Sequence, residues 1–113
     1  NVVDSNLSET VSQEAQFIIA DIYMNDVKNY LFALDKFNKV LQYNIENDVY
    51  KKSLFMSAYI CSNYLDKYTE AYNKYNLFVK LFPSDELIPS VEYELMHINV
   101  FINQTDSLLK TLN

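Results

Sequence analysis

Apolar residues recur at three- and four-residue spacing along most of the chain, the pattern of amphipathic helices. Over residues 8–25 it runs through Leu7, Val11, Ala15, Ile18, Ile19 and Ile22, with Ser8 as a candidate N-cap and Glu9 well placed against the helix dipole. A second helix, over about 27–44, carries Tyr30, Ala33, Leu34, Phe37, Val40 and Leu41 on one face. Asp48 reads as the N-cap of a helix from about 49 to 63 bearing Leu54, Phe55, Ala58 and Tyr59. A fourth, over about 66–82, carries Tyr68, Ala71, Tyr75, Phe78, Val79 and Phe82. Pro83 ends it, because a residue before proline is held away from the helical region. Ser84, Asp85 and Glu86 resemble a capped start and Pro89 suits a first helical turn, so a fifth helix begins within 85–89 and runs to about 103.

The chain also matches itself. Sliding it by 38 residues places Phe17 on Phe55, Ala20 on Ala58, Ile22 on Ile60, Asn25 on Asn63, Tyr30 on Tyr68, Ala33 on Ala71, Lys36 on Lys74 and Asn38 on Asn76. A fixed period in this range indicates stacked supersecondary units, which commonly serve as binding surfaces. The expected fold is therefore all-α, one domain over residues 1–113, built as an α-α superhelix of stacked antiparallel helix pairs. About 2.5 repeats fit: 8–45, 48–83 and a partial third over 86–113. The same offset puts Ile98 on Ile60 and Leu109 on Ala71, so a partial sixth helix is expected from near Asp106. Asn25 and Asn63 fall where the first helix of each pair should stop. In a chain without glycine, asparagine is the next best left-handed C-terminal cap. The small Ala20 and Ala58 should lie where the helices of a pair cross closely.

The segment Tyr68-Thr69-Glu70-Ala71-Tyr72-Asn73-Lys74-Tyr75, with Pro83 closing the helix, resembles the second helix of a tetratricopeptide repeat. Tyr30-Leu31-Phe32-Ala33 with Phe37 and Val40 is similar to the same element one unit earlier. The units depart from that pattern in carrying Ala20 and Ala58 where the family has glycine, and in having Ile45 where the second unit has Pro83. A narrower likeness lies in the run Phe78 to Pro83 followed by Val91-Glu92-Tyr93, which is similar to the repeat lipoproteins of bacterial outer-membrane barrel assembly. The resemblance implies a scaffold for outer-membrane protein assembly on the periplasmic face of a bacterial outer membrane. The alternative is a cytoplasmic or other periplasmic tetratricopeptide adaptor that binds a peptide or helix of a partner protein.

Composition narrows the chemistry. The formal net charge of −6 disfavours nucleic acid, whose binders carry basic patches. No uncharged run approaches the roughly 20 residues of a membrane-spanning helix. The absence of glycine excludes both a phosphate-binding loop and a dinucleotide fingerprint. Cys61, the one cysteine, lies in an apolar helix and reads as structural, and His97, the one histidine, is flanked by Met96 and Ile98. No catalytic, cofactor or metal constellation is present, and the expected function is non-enzymatic. In paired-helix repeats the first helix of each pair usually lines the concave side. The side of helix 49–63 away from Phe55 and Ala58 would show Ser53, Met56, Ile60 and Asn63. Together with Tyr64 and His97 these form the expected partner-binding groove. The apolar run Leu108-Leu109-Lys110-Thr111-Leu112 needs a partner of its own, so the C-terminal end is a candidate for self-association.

Overall fold

The computed structural model describes residues 2–112, with the side chains of 7–105 and 107–112. Helix α1 (Val2–Ile22) continues into a π-helical turn (Tyr23–Val27). It is followed by α2 (Tyr30–Gln42), α3 (Asp48–Asn63), α4 (Tyr68–Leu81) and α5 (Ile88–Leu112), with no strand among the described residues. Each helix packs on the next in chain order. The connections after the π turn and after α3 are tight, so α1 with α2 and α3 with α4 form antiparallel hairpins.

The 38-residue offset is carried into three dimensions. Ala20 and Ala58, Ala33 and Ala71, Phe37 and Tyr75, and Val40 and Phe78 are all fully buried. The alanines let the helices of a pair approach, and the aromatics fill the space beside them. Phe17 meets Phe37 edge-on at 5.8 Å, and its counterpart Phe55 meets Tyr75 edge-on at 5.9 Å. Enlarging any of these alanines would force strain of roughly 1–3 kcal/mol.

The hairpin turns repeat as well, but through residues other than the expected asparagines. Lys28 and Asp66, one period apart, take the left-handed conformation at φ 61° and 55°. The same long backbone hydrogen bond closes both turns: Asn29 N–H donates to Tyr23 O, and Lys67 N–H donates to Cys61 O, each at 2.8 Å. Asn25 instead lies within the π turn and donates to Asp21 Oδ1 at 2.8 Å. Asn63 is the last residue of α3 and donates to Tyr59 O at 3.1 Å. The extra residue of a π turn moves the break in the ladder past Asn25. Two N-caps also differ from expectation. Ser8 lies inside α1, which begins at Val2. Asn47, not Asp48, caps α3 by accepting from Tyr50 N–H at 2.9 Å. Asp48 enters the first turn, where Lys51 and Lys52 hold its carboxyl below the usual carboxylate range.

A polar clasp joins each unit to the linker that follows it. Fully buried Gln13 donates to Ile45 O at 3.1 Å and accepts from Asn47 Nδ2 at 2.8 Å. One period on, Lys51 replaces Gln13 and Asp85 replaces Asn47, and the two form an ion pair at 2.6 Å. Asp85 also accepts from Leu87 N–H at 2.9 Å just before α5 begins. Lys51 and the Leu87 N–H together hold the Asp85 carboxyl below its ordinary range, and Asp85 raises Lys51 above its own.

Two further expectations are overturned. The apolar stripe read as the core face of α1 points outward: Leu7 is 61% exposed, Val11 and Ile18 56%, and Ile22 43%. The inward face is Gln13, Phe17, Ala20 and Met24. Nor do the described residues form a sixth helix, since α5 runs unbroken through position 106 to Leu112. The third unit has Gln104 where the first two carry their left-handed residue, and Met96 where they carry the close-packing alanines. Neither the turn nor the tight crossing is reproduced there.

Candidate interaction groove

The first helices of the three units, α1, α3 and α5, lie side by side, with a cleft between each neighbouring pair. Between α1 and α3, Phe17, Asp21, Lys52, Phe55 and Met56, with Leu87 from the linker, enclose about 240 Å³. Between α3 and α5, Phe55, Tyr59, Pro89, Ser90, Tyr93 and Glu94 enclose about 360 Å³. These are one cleft built twice. Phe17 maps to Phe55, Asp21 to Tyr59, Lys52 to Ser90, Phe55 to Tyr93 and Met56 to Glu94, all at the 38-residue offset. Phe55 is common to both, so the two clefts adjoin at this residue, and each is lined by aromatic side chains.

Packing fixes the walls. Phe55 lies against Tyr75 and Phe78 of α4, edge-on at 5.9 and 6.2 Å, which holds its ring. Tyr93 meets His97 edge-on at 4.4 Å. Charge is sparse and of both signs: Asp21 and Lys52 flank the first cleft and Glu94 the second. Lys52 is paired with Asp48 at 3.2 Å, and Asn63 reaches Glu94 at 3.5 Å. The groove therefore offers apolar and aromatic contact with polar edges.

The expected groove residues are placed differently. Met56 lines the first cleft. His97 stands beside the Tyr93 wall. Asn63 and Tyr64 are exposed at the end of α3, where Tyr64 stacks on Tyr30 at 3.9 Å. Ser53 and Ile60 are fully buried, on the side of α3 opposite Phe55, where α2 lies. Helix α3 is covered on two sides, and the strip left open runs between Phe55 and Met56, not away from Phe55. The sequence reading leaves the half-buried aromatics Phe17, Phe55 and Tyr59 out of the groove. The recurrence of Phe17 and Phe55 at one repeat position in neighbouring first helices was the available signal.

The remaining reactive groups are structural. Cys61 is fully buried and donates to Glu70 Oε2 at 3.0 Å. Burial first, then the hydrogen bond and charge of Glu70, push its thiol up to about 12, so it stays protonated at neutral pH and is no nucleophile. Lys74 donates to Asn38 Oδ1 at 2.6 Å, and burial lowers its ammonium below the usual lysine value. Among the described residues no cluster of histidine, cysteine, aspartate and glutamate is arranged to hold a metal. No described helix is long and apolar enough to cross a membrane. In comparisons with protein families, with curated proteins and with solved structures, nothing matches this chain.

Proposed function

We propose that the chain is a non-enzymatic protein–protein interaction scaffold of tetratricopeptide type, which receives an extended or helical peptide of a partner protein along the α1–α3–α5 groove. The observation that carries this reading is the cleft built twice at one period. A repeated cleft suits a repeated ligand feature, such as apolar side chains spaced along a peptide, and stacked helix pairs typically bind in this way. The Phe78–Pro83 run and Val91-Glu92-Tyr93 support a place in outer-membrane protein assembly within this reading; a cytoplasmic adaptor is the alternative.

The test is selection of peptides from a displayed library, followed by NMR titration of the whole chain. Shifts are expected at Phe55, Met56, Tyr59 and Ser90. Ser90→Trp, which fills the second cleft from an exposed position, should weaken binding by about tenfold or more. Selected peptides that bind with these signals unmoved would overturn the groove as the binding site.

A further inference from the structure

At the end of the stack where the hairpins turn, two tyrosines lie face to face. Tyr30 is the first residue of α2, and Tyr64 follows the last residue of α3. Their rings stack with centroids 3.9 Å apart and planes 4° from parallel. Carbons in contact stand about 3.5 Å apart, so this centroid distance leaves the rings offset by less than about 2 Å. Carbon therefore faces carbon across the pair. Burial first, then the charge and hydroxyl of Tyr64, raise the Tyr30 phenol above its ordinary value, so the two hydroxyls lie at the same end of the stack. Tyr64 is 46% exposed and Tyr30 half-buried, which leaves the pair within reach of an oxidant in solution. Tyr59 also meets Tyr64, but edge-on at 6.1 Å and 62°. One period on, Tyr68 repeats Tyr30 but stacks at 4.1 Å on Phe101, which has no hydroxyl.

We propose that Tyr30 and Tyr64 form a site of oxidative modification, at which a one-electron oxidant joins the two rings as dityrosine and ties the first helix pair to the second. Each phenol gives up one electron and its hydroxyl proton, leaving a phenoxyl radical with unpaired spin on the ring carbons beside the oxygen. One such carbon from each ring forms the new carbon–carbon bond. Each of these carbons then passes its hydrogen to its own ring oxygen by way of water, and both hydroxyls are restored. The product has lost two hydrogens. With a peroxidase as oxidant, one hydrogen peroxide takes up the two electrons and two protons and leaves as two waters. Both tyrosines sit at helix ends, where the backbone yields to the short movement the bond requires. The linker over 43–47 joins α2 and α3 at their other ends, so the bond closes the open end of this pair. It removes chain entropy from the unfolded state, as a disulfide between the same residues would. The next junction is spared, because Phe101 cannot form a phenoxyl radical.

Oxidation of the whole chain in dilute solution, with a peroxidase and hydrogen peroxide, tests this. Dityrosine fluorescence is expected on a band that stays monomeric in denaturing electrophoresis. Mass spectrometry of the digested protein should find the peptides holding Tyr30 and Tyr64 joined, with two hydrogens missing. Tyr30→Phe and Tyr64→Phe keep the rings and should each abolish this product, whereas Tyr68→Phe should leave it. Should either of the first two lose its helical circular dichroism, the link mapped in the wild type decides. The linked chain should also unfold at a higher denaturant concentration than the unlinked one. A link mapped to another tyrosine pair, product formed only between chains, or product undiminished in Tyr64→Phe would overturn the proposal. So would no product under conditions in which a free tyrosine peptide couples.

Discussion

A chain without glycine must place other residues in left-handed backbone, and among the described residues three do so: Lys28, Asn44 and Asp66. Asparagine and aspartate tolerate this by local hydrogen bonding, and Asp66 accepts from Tyr68 Oη at 2.9 Å. Lys28 is exposed and has no such compensation within its own side chain. Lys28→Gly should therefore stabilise the fold by about 0.5–1 kcal/mol, the relief of the left-handed penalty exceeding the added freedom of the unfolded chain. Chemical denaturation measures it, and a loss of stability would show that the turn is not under strain at this residue. Cys61 makes a second residue-scale prediction. Its folded thiol is raised to about 12 from an ordinary value near 9, so between those values the unfolded chain loses a proton that the folded chain keeps. Stability attributable to this group is intact below about pH 9 and falls as pH rises towards 12. Cys61→Ala should flatten the alkaline limb of a stability–pH profile. In the wild type, thiol reagents at pH 8 should react only as fast as the protein opens.

At the scale of the element, the two clasps are alternative solutions to one packing problem, a neutral Gln13–Asn47 pair and a charged Lys51–Asp85 pair at equivalent positions. Gln13→Leu leaves Asn47 and the Ile45 carbonyl without their partner and should cost roughly 1–3 kcal/mol. Lys51→Gln with Asp85→Asn installs the first clasp in the second unit. The double variant should be more stable than either single one. It should also lose acid sensitivity: Asp85 is held below its ordinary range, so its contribution is present above the unfolded value and is lost as pH falls through the folded one. Thermal melts from pH 7 to pH 3 compare the three proteins. The helices themselves were legible in the sequence, and α2 and α4 also in their buried faces, because each has one apolar side. Helix α1 has two. Periodicity favoured Leu7, Val11, Ile18 and Ile22, whereas the core takes Phe17, Ala20 and Met24 with Gln13, a polar residue no apolar pattern would select. The same blind spot misplaced Ser53 and Ile60, which are one period from Ala15 and Ile22. On α3 that side is closed by α2; on α1 it is open.

The whole molecule is a short stack rather than a globule. Its radius of gyration is 16.0 Å and its extents are 60 × 32 × 24 Å, against about 13 Å expected for a compact chain of this length. In such a stack each helix draws stability from its neighbours alone. Helices α2, α3 and α4 have a neighbour on both sides, α1 and α5 on one, and the end of α5 has none. Local opening should therefore be graded. Native-state hydrogen exchange at low protein concentration should find the amides of α3 slowest, because it lies centrally and holds fully buried Leu54, Ala58, Ile60 and Cys61. Those of α1 should be faster, and those beyond Gln104 close to unprotected. A globule held by one core would instead show a common slow rate across all five helices, and that result would contradict the stacked energetics.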